Sequence, residues 1–236
     1  RMPPLPPPLA DLLQLDGVAI GSELDPARQD RQLMLAWQQA GVRLLSLRGW
    51  SEHFLRRLPP ELVPDSWSER VEVFSHARAG PTSRLKRLGD LLLSGMMGLV
   101  LLPLHAVAAL LRSGPILQQD LCSGRDGQPF LRLRFAAAGP LSALPQWRNV
   151  WRGEMSLVGP RPLSLEVMAE LEKRFPGAEL RQWMRPGMTG WGRIAGPPPE
   201  ESDAMAWELG RDLYYLRNHS LLLDLQLLLT LSLIHI

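Results

Sequence analysis

An almost wholly apolar run, from Leu91 to Leu111, constrains the fold of this chain more than any other feature. As a helix it is long enough to cross a bilayer, but Pro103 lies within it and removes a helical hydrogen bond. Lys86 and Arg87 precede the run and Arg112 follows it, so the charge pattern does not distinguish two sides of a membrane. A helix that enters the membrane, bends near Pro103 and leaves on the same face satisfies both observations.

Two other structures remain open for this run. A Pro-kinked helix that spans the membrane would also fit its length. A helix buried in a protein core fits less well, because the run lacks a polar face. We expect a bent, re-entrant helix from Leu88 to Arg112, with Lys86, Arg87 and Asp90 near its start and a break within about one turn of Pro103.

The overall composition excludes some classes of function. The 236 residues could form one domain or two. A net charge of +2 and a pI of about 9.1 are too mild to predict binding to nucleic acid. The single cysteine, Cys122, excludes an internal disulfide framework and fits a reducing compartment.

The first part of the chain reads as a strand, a helix and a second strand. Leu15 to Glu23 and Val42 to Leu47 are short apolar runs, and Pro26 to Ala40 between them has helical spacing. This order predicts a βαβ unit with parallel strands. Because one such unit cannot cover its own sheet, we expect residues 1–48 to be the remnant of a larger, Rossmann-like α/β domain. They contain no Gly-rich phosphate loop.

A dense motif, Gly-Glu-Met-Ser-Leu-Val-Gly-Pro-Arg-Pro, occupies residues 153–162 between two predicted helices. Pro145 to Arg152 is predicted as a short amphipathic helix that Gly153 ends, and Ser164 as the cap of a helix through about Arg174. The loop between them therefore lies just before a helix N-terminus, which favours an anion. Arg161 adds a planar charged fork suited to phosphate. The alternative is a rigid turn whose arginine forms an ordinary surface ion pair.

Three segments together resemble a known family. They are Leu144-Pro145-Gln146, the motif of residues 153–162, and Arg185-Pro186-Gly187-Met188-Thr189-Gly190. They resemble the bacterial sugar transferases of the polyprenyl-phosphate type, and the match runs from about Arg84 to Thr230. Those enzymes move a phosphosugar from a nucleotide-diphosphate sugar onto polyprenyl (undecaprenyl) phosphate.

The resemblance implies an architecture and a location. Residues 81–230 should form a compact α/β domain, seated by the bent helix on the cytoplasmic face of the bacterial inner membrane. Residues 49–80 resemble the connector that joins it to a preceding soluble domain in longer members. A hairpin with Asp126-Gly127 at its turn is expected after the apolar run, and Asp224 corresponds to a fixed acid of the family's closing segment.

The chain departs from the family at its catalytic residues. Where the family has Asp-Glu directly before Leu-Pro-Gln, this sequence has Ser142-Ala143. In the family that aspartate is the nucleophile, and Mg²⁺ and the glutamate assist it. The loss of both carboxylates makes this cofactor doubtful here. No activating base lies close in sequence to Ser142, whose expected role is to cap the helix from Pro145 to Arg152.

We therefore predict that the chain as written transfers no phosphosugar. A natural deletion would leave a pseudoenzyme that binds lipid or partner subunits. A sequence error would leave the cellular protein active, and a rerouted mechanism would use Ser142 with a base from elsewhere. For substrate binding, we expect Arg161 and Pro162, with Arg185 and Arg148, to face one pocket that holds a diphosphate.

Both ends of the chain have unusual sequences. Arg1 precedes Met2, which suggests a fragment. Leu231-Ser232-Leu233-Ile234-His235-Ile236 equals the translation of a transposon end used in sequencing libraries, although a genuine apolar helix end remains the alternative. We expect residues 231–236 to be foreign to the protein.

Overall fold

The computed structural model describes residues 18–20, 28–63, 74, 81–111, 117–136, 140–194, 196, 198–200 and 202–234. Parts of several predictions lie outside these residues: both ends of the first predicted strand, the start of the first helix, much of the connector, Arg112 and the last two residues. The chain forms two compact units, Arg1–Leu58 and Pro59–Ile236.

The first unit contains the predicted βαβ arrangement. Strand β1 (Val18–Ile20), helix α1 (Arg28–Gln39) and strand β2 (Leu44–Ser46) follow in order, and the strands pair in parallel with Val18 opposite Leu44. Trp37 and Val42 are buried against both of those side chains. The strand register confirms the predicted parallel pairing, and Trp37 of α1 packs against this strand pair. Helix α2 (Leu47–Trp50) and a π-helical turn (Ser51–Leu55) follow.

The second unit begins with a 3-10 turn (Pro60–Leu62) and a long helix, α3 (Pro81–Leu111), which contains Pro103. The predicted start at Leu88 and the predicted break at Pro103 are therefore wrong. A proline has a helical φ and removes only one backbone bond, so a long helix can continue through it. A bend of α3 at Pro103 stays a prediction. Across the described residues, no helix is both long enough and apolar enough to cross a membrane.

A hairpin follows α3 and confirms the predicted turn. Strands β3 (Leu117–Ser123) and β4 (Pro129–Phe135) pair antiparallel, with Cys122 opposite Phe130. Asp126 (φ 53°) and Gly127 (φ 74°) are left-handed in the 3-10 turn Arg125–Gly127 between them. Asp and Gly tolerate this conformation better than most residues do, which explains why the pair predicts the turn.

The next segment is a 3-10 helix (Pro140–Gln146) that leads directly into helix α4 (Trp147–Arg152). Gly153 ends α4 with φ 86°, as predicted. Ser142 lies inside the 3-10 helix, and Gln146 is the N-cap of α4 without a side-chain bond. The predicted capping role of Ser142 is therefore wrong, because helical winding already begins before it.

Helix α4 packs closely on α3 through two glycines. A Cβ atom on Gly98 would lie 2.5 Å from Cζ3 of Trp147, and one on Gly95 would lie 2.8 Å from Cζ3 of Trp151. Arg87 completes the contact, because its guanidinium donates to the carbonyl of Val150 (2.6 Å) and to that of Trp151. The carbonyl of Val150 also accepts from the N–H of Gly153 at 3.0 Å, and an arginine at this C-terminal end stabilises α4.

Strands β5 (Ser156–Val158) and β6 (Leu163–Ser164) flank the Gly-Pro-Arg-Pro loop. Strand β6 pairs antiparallel with β3, and Ser164 caps helix α5 (Leu165–Arg174) by accepting from the Val167 N–H at 3.3 Å. Both the cap and the end of this helix agree with the sequence prediction. A 3-10 helix (Ala178–Trp183) connects α5 to strand β7 (Gly187–Thr189), which pairs in parallel with β5.

Three helices complete the second unit: α6 (Trp191–Ile194), α7 (Ala204–Asn218) and α8 (Leu221–Ile234). Asp203 caps α7 through the N–H groups of Met205 and Ala206. Side chains of α7, α4, β5 and the 3-10 helix before β7 form the centre of the core: Leu209, Leu213, Tyr215, Leu216, Val150, Val158 and Leu180. The second unit is a mixed helix-and-sheet domain with two small sheets.

Candidate functional site

The two Gly-Pro-containing loops, residues 158–162 and 185–190, form one framework. The N–H of Gly159 donates to the carbonyl of Thr189 (2.9 Å), and the N–H of Gly187 donates to the carbonyl of Pro160 (2.8 Å). A Cβ on Gly187 or on Gly190 would lie well inside 3.0 Å of the Gly159 backbone. The parallel pairing of β5 and β7 therefore requires glycine at the crossing, and the Gly-Pro-Arg-Pro and Arg-Pro-Gly-Met-Thr-Gly motifs depend on each other.

A cleft of about 280 Å³ opens beside this framework. We call it the arginine cleft, because Arg132 of β4, Arg161 of the first loop and Arg193 of α6 all line it. The remaining lining residues come from both motifs, from the end of the 3-10 helix before α4, and from α6 and α7: Gln146, Gly159, Pro162, Gly187, Met188, Thr189, Gly190, Gly192, Glu208 and Asp212.

The three arginines give the cleft a positive surface. Desolvation first, and then repulsion by Arg161 and Arg132, lower the pKa of Arg193. No carboxylate within the described part of the chain lies at ion-pair distance from Arg193, whereas Arg132 pairs with Asp120 at 2.7 Å. A group of guanidiniums that repel one another and lack full compensation favours a bound anion.

The sequence left two roles open for Arg161, a contact to phosphate and an ordinary surface ion pair, and the position of Arg161 fits both. It makes an ion pair with Glu208, between Nη1 and Oε1 at 3.0 Å, with 65% and 47% of the two side chains exposed. This is the ordinary surface pair of the simpler alternative. Both partners also line the arginine cleft. Because an exposed pair contributes little to stability, a phosphate can replace Glu208 at low cost.

A buried ion pair beneath the cleft holds the backbone of Arg161. Nη2 of Arg181 donates to Oδ2 of Asp212 (2.6 Å) and to the carbonyl of Arg161 (2.7 Å). Burial raises the pKa of Asp212 to about 6, and Glu208 adds to this effect, although Arg181 opposes it. Asp212 is thus a carboxyl group in the cleft wall whose charge changes near neutral pH.

The other two predicted arginines lie elsewhere. Nε of Arg185 donates to the carbonyl of Gly153 at 2.8 Å, and desolvation lowers the pKa of Arg185, with Arg87 adding repulsion. Arg148 is exposed on α4 and lines a different crevice beside Trp147. The structure thus places Arg161 and Pro162 in the cleft and does not bring Arg185 or Arg148 to it, so the predicted single pocket is corrected.

The positions of the missing carboxylates lie near the cleft. Ser142 and Ala143 are half-buried in the 3-10 helix that ends at Gln146, a residue of the cleft lining. In the described part of the chain, no histidine, lysine or carboxylate is hydrogen-bonded to Ser142. A serine without a base is a poor nucleophile at neutral pH.

The residues at the cleft do not fit Mg²⁺. Its two carboxylates, Glu208 and Asp212, are both paired with arginines. Among the described residues, no group of three or more His, Cys, Asp or Glu side chains could hold a metal ion. Mg²⁺ binds proteins through one or two carboxylates, and the positive charge of Arg161 and Arg181 beside these two opposes a second cation.

The charged residues at the start of α3 are bonded into the second unit. Nζ of Lys86 forms an ion pair with Asp224 of α8, and it also donates to Tyr215 Oη (3.2 Å) and to the carbonyl of Val158 (2.9 Å). Oδ1 of Asp90 accepts from the N–H of Leu157 at 3.0 Å. These contacts hold α3 against β5 and α8, and they give Asp224 a cationic partner.

Sequence reasoning missed four residues of the cleft. Arg132 and Arg193 had only weak signals, namely a basic residue on a strand and a basic residue shortly after the Gly190 turn. Glu208 and Asp212 had a clearer one, because acidic residues four apart in a helix share a face. None of these signals shows which loop each of the four residues contacts in the folded protein.

Comparisons with known proteins agree with the motifs. A family model described as bacterial sugar transferase matches residues 138–235. A UDP-glucose:undecaprenyl-phosphate glucose-1-phosphate transferase of Caulobacter vibrioides is 30% identical over 189 residues, which cover 64% of this chain and 71% of that protein. A protein of the same name from Klebsiella pneumoniae is 27% identical over 192 residues, covering 67% of this chain and 41% of the relative.

A third relative differs in the sugar that its name specifies. The UDP-N-acetylgalactosamine-undecaprenyl-phosphate N-acetylgalactosaminephosphotransferase of Aeromonas hydrophila is 33% identical over 105 residues, or 44% of this chain and 23% of the relative. The chain therefore spans less than half the length of this protein and of the Klebsiella relative.

Proposed function

Because the chain belongs to the bacterial sugar transferase family, we propose that its second unit binds a nucleotide-diphosphate sugar in the arginine cleft and meets polyprenyl phosphate at the membrane. The observation that carries this proposal is the convergence of Arg132, Arg161 and Arg193 on one cleft. Guanidiniums form bidentate, charge-assisted bonds to phosphate oxygens. The relatives named for UDP-sugars support a diphosphate as the ligand.

Within the cleft, each group has a distinct proposed role. Arg193 and Arg132 neutralise the diphosphate charge, while Arg161 exchanges Glu208 for a phosphate oxygen. The hydroxyl of Thr189 lines the cleft and has no hydrogen-bond partner within the described residues, so it can donate to the ligand. The glycine crossing keeps these groups in place because neither loop can move without breaking β5–β7 pairing.

We place the second unit on the cytoplasmic face of the bacterial inner membrane, seated by α3. The support is an apolar surface of unusual extent on this helix. Its exposed side chains are Leu85, Leu88, Leu92, Leu93, Met96, Leu99, Val100 and Leu102. Leu222, Leu225 and Leu229 of α8 add to it. We retain the re-entrant path for α3 as part of this proposal, with a bend at Pro103.

We further propose that the chain as written binds without transferring the phosphosugar. Transfer in this family needs an ionised nucleophile beside a compensated phosphate, and the side chains of Ser142 and Ala143 do not supply one. Ligand binding by the arginines of the cleft does not require carboxylates at the positions of Ser142 and Ala143. The chain is then a membrane-bound binding module, or pseudoenzyme, of exopolysaccharide or related glycan assembly.

Calorimetry with UDP-glucose tests the binding site. Arg161→Ala should reduce the affinity at least tenfold, because it removes a charge-assisted phosphate contact. Arg174→Ala is the matched control, since Arg174 also forms an exposed pair, with Asp203 at 2.5 Å, but lies outside the cleft lining. Equal losses in both variants, or no binding by the unmodified chain, would contradict the assignment of the cleft.

A transfer assay tests the absence of activity. The expressed chain is incubated with radiolabelled UDP-glucose, Mg²⁺ and polyprenyl phosphate, and label in the lipid phase is counted. We expect none. Transfer at a normal rate would overturn the proposal, and its loss in Ser142→Ala would establish a serine mechanism. Resequencing the source DNA across Phe135 to Leu144 distinguishes a natural deletion from a sequence error.

A further inference from the structure

A second cavity, of about 490 Å³, lies between α3 and α4. We call it the tryptophan crevice, because Trp147 and Trp151 form its α4 side. Gly95, Gly98, Leu99 and Leu102 of α3 and the two arginines of α4, Arg148 and Arg152, complete its lining. No residue of the arginine cleft belongs to it, although Gln146 and Trp147 are neighbours in the chain.

The crevice is apolar and open. The rings of Trp147 and Trp151 rest directly on Gly98 and Gly95, where no side chain separates the helices. Leu99 is 78% exposed, Leu102 is 52% exposed and Trp151 is 53% exposed. These side chains are continuous with the apolar surface of α3 that we propose lies in the membrane, so the crevice opens towards lipid and not towards the cleft.

Its rim is cationic. Arg148 and Arg152 are exposed and lie four residues apart on α4, where like charges repel. Within the described residues, neither guanidinium has an ion-pair or hydrogen-bond partner. The nearest acid along the chain, Glu154, instead accepts from Nδ2 of Asn149 at 2.6 Å. Arg87 adds a third positive charge at the end of α4.

We propose that the tryptophan crevice binds one anionic phospholipid of the bilayer, and this rests on the proposed membrane seating. An acyl chain lies against Leu99, Leu102 and Trp151, and the headgroup phosphate lies between Arg148 and Arg152. The match is one of charge and polarity, because an apolar floor beside two exposed guanidiniums suits an amphipathic anion. Tryptophan is typical of the interface where both parts meet.

The experiment measures lipid retention by the full chain purified in detergent. Native mass spectrometry records bound phosphatidylglycerol and bound phosphatidylcholine when both are added in equal amounts. We expect a preference for phosphatidylglycerol of about tenfold. The double variant Arg148→Gln/Arg152→Gln should abolish that preference. The control, Arg43→Gln/Lys173→Gln, removes the same net charge at exposed positions outside the crevice and should keep it.

Two results would overturn the inference. An equal loss of preference in both double variants would mean that net charge, and not the crevice, selects the lipid. In a parallel sample that also contains polyprenyl phosphate, retention of that lipid but not of phosphatidylglycerol, lost in the Arg148/Arg152 variant, would make the crevice an acceptor site instead. UDP-glucose calorimetry on the same preparations separates this inference from the proposed function, since the Arg148/Arg152 variant should bind the nucleotide sugar normally.

Discussion

The glycine crossing between β5 and β7 offers the sharpest test of how this site is built. In Gly190→Ala the new Cβ would meet the carbonyl oxygen of Gly159, a backbone atom that cannot rotate away, well inside 3.0 Å. The loops must then separate, which weakens the bonds from Gly159 to Thr189 (2.9 Å) and from Gly187 to Pro160 (2.8 Å). Each is worth about 1 kcal/mol net, so with lost packing we expect a decrease of about 2–4 kcal/mol in unfolding free energy.

Gly192→Ala is the matched control, because a Cβ there meets nothing within 4 Å. It lies in α6 and lines the same cleft, and alanine is favoured over glycine in a helix by roughly 0.5–1 kcal/mol. We therefore expect no loss of stability, or a small gain. The assay is chemical denaturation in detergent, followed by the fluorescence of the eight tryptophans. Equal midpoints for the two variants would refute the close approach of the loops.

Two further predictions concern buried charges. Lys86→Met leaves Asp224 without its cation and should lower the unfolding free energy by about 3–5 kcal/mol. The control, Lys173→Met, is at an exposed position and should change the unfolding free energy by less than about 0.5 kcal/mol. Equal effects of the two variants on denaturation would contradict the ion pair. Burial raises the pKa of Asp212 from its ordinary 3.8 to about 6. The protonated carboxyl group therefore contributes its full share of the unfolding free energy below pH 3.8, and this share is lost as the pH rises through 6. That loss amounts to at most about 3 kcal/mol, and Asp212→Asn should remove this slope from a pH series of denaturation curves; an unchanged slope would assign it to another group.

Local structure followed from the sequence wherever one or two residues decide it. Gly153 ends α4 and Ser164 begins α5, because a helix end is satisfied by groups within a few residues. Asp126-Gly127 predicted the hairpin turn for the same reason, since left-handed backbone selects these residue types. The parallel strands of the first unit followed from element order.

The same local reasoning failed where continuous winding competes with a breaking residue. Pro103 was expected to break α3, and Ser142 to cap the following helix. Helix α3 continues through Pro103 although a proline inside a helix costs about 3 kcal/mol, and the 3-10 helix that begins at Pro140 already includes Ser142. The residue type alone predicts neither the continuation of α3 through Pro103 nor the position of Ser142 inside a helix, because the adjacent helical turns determine both.

The arrangement of the site was decided by tertiary structure. The motifs identified the Gly-Pro-Arg-Pro loop, but only the pairing of β5 with β7 brings it against the second loop. Arg193 and Arg132 join Arg161 because a helix and a hairpin meet there, while Arg148 of α4 lines the separate tryptophan crevice. A sequence specifies such residues one by one. Which of them share a cleft depends on contacts between distant segments, and these form only when the core around Tyr215 and Val158 closes.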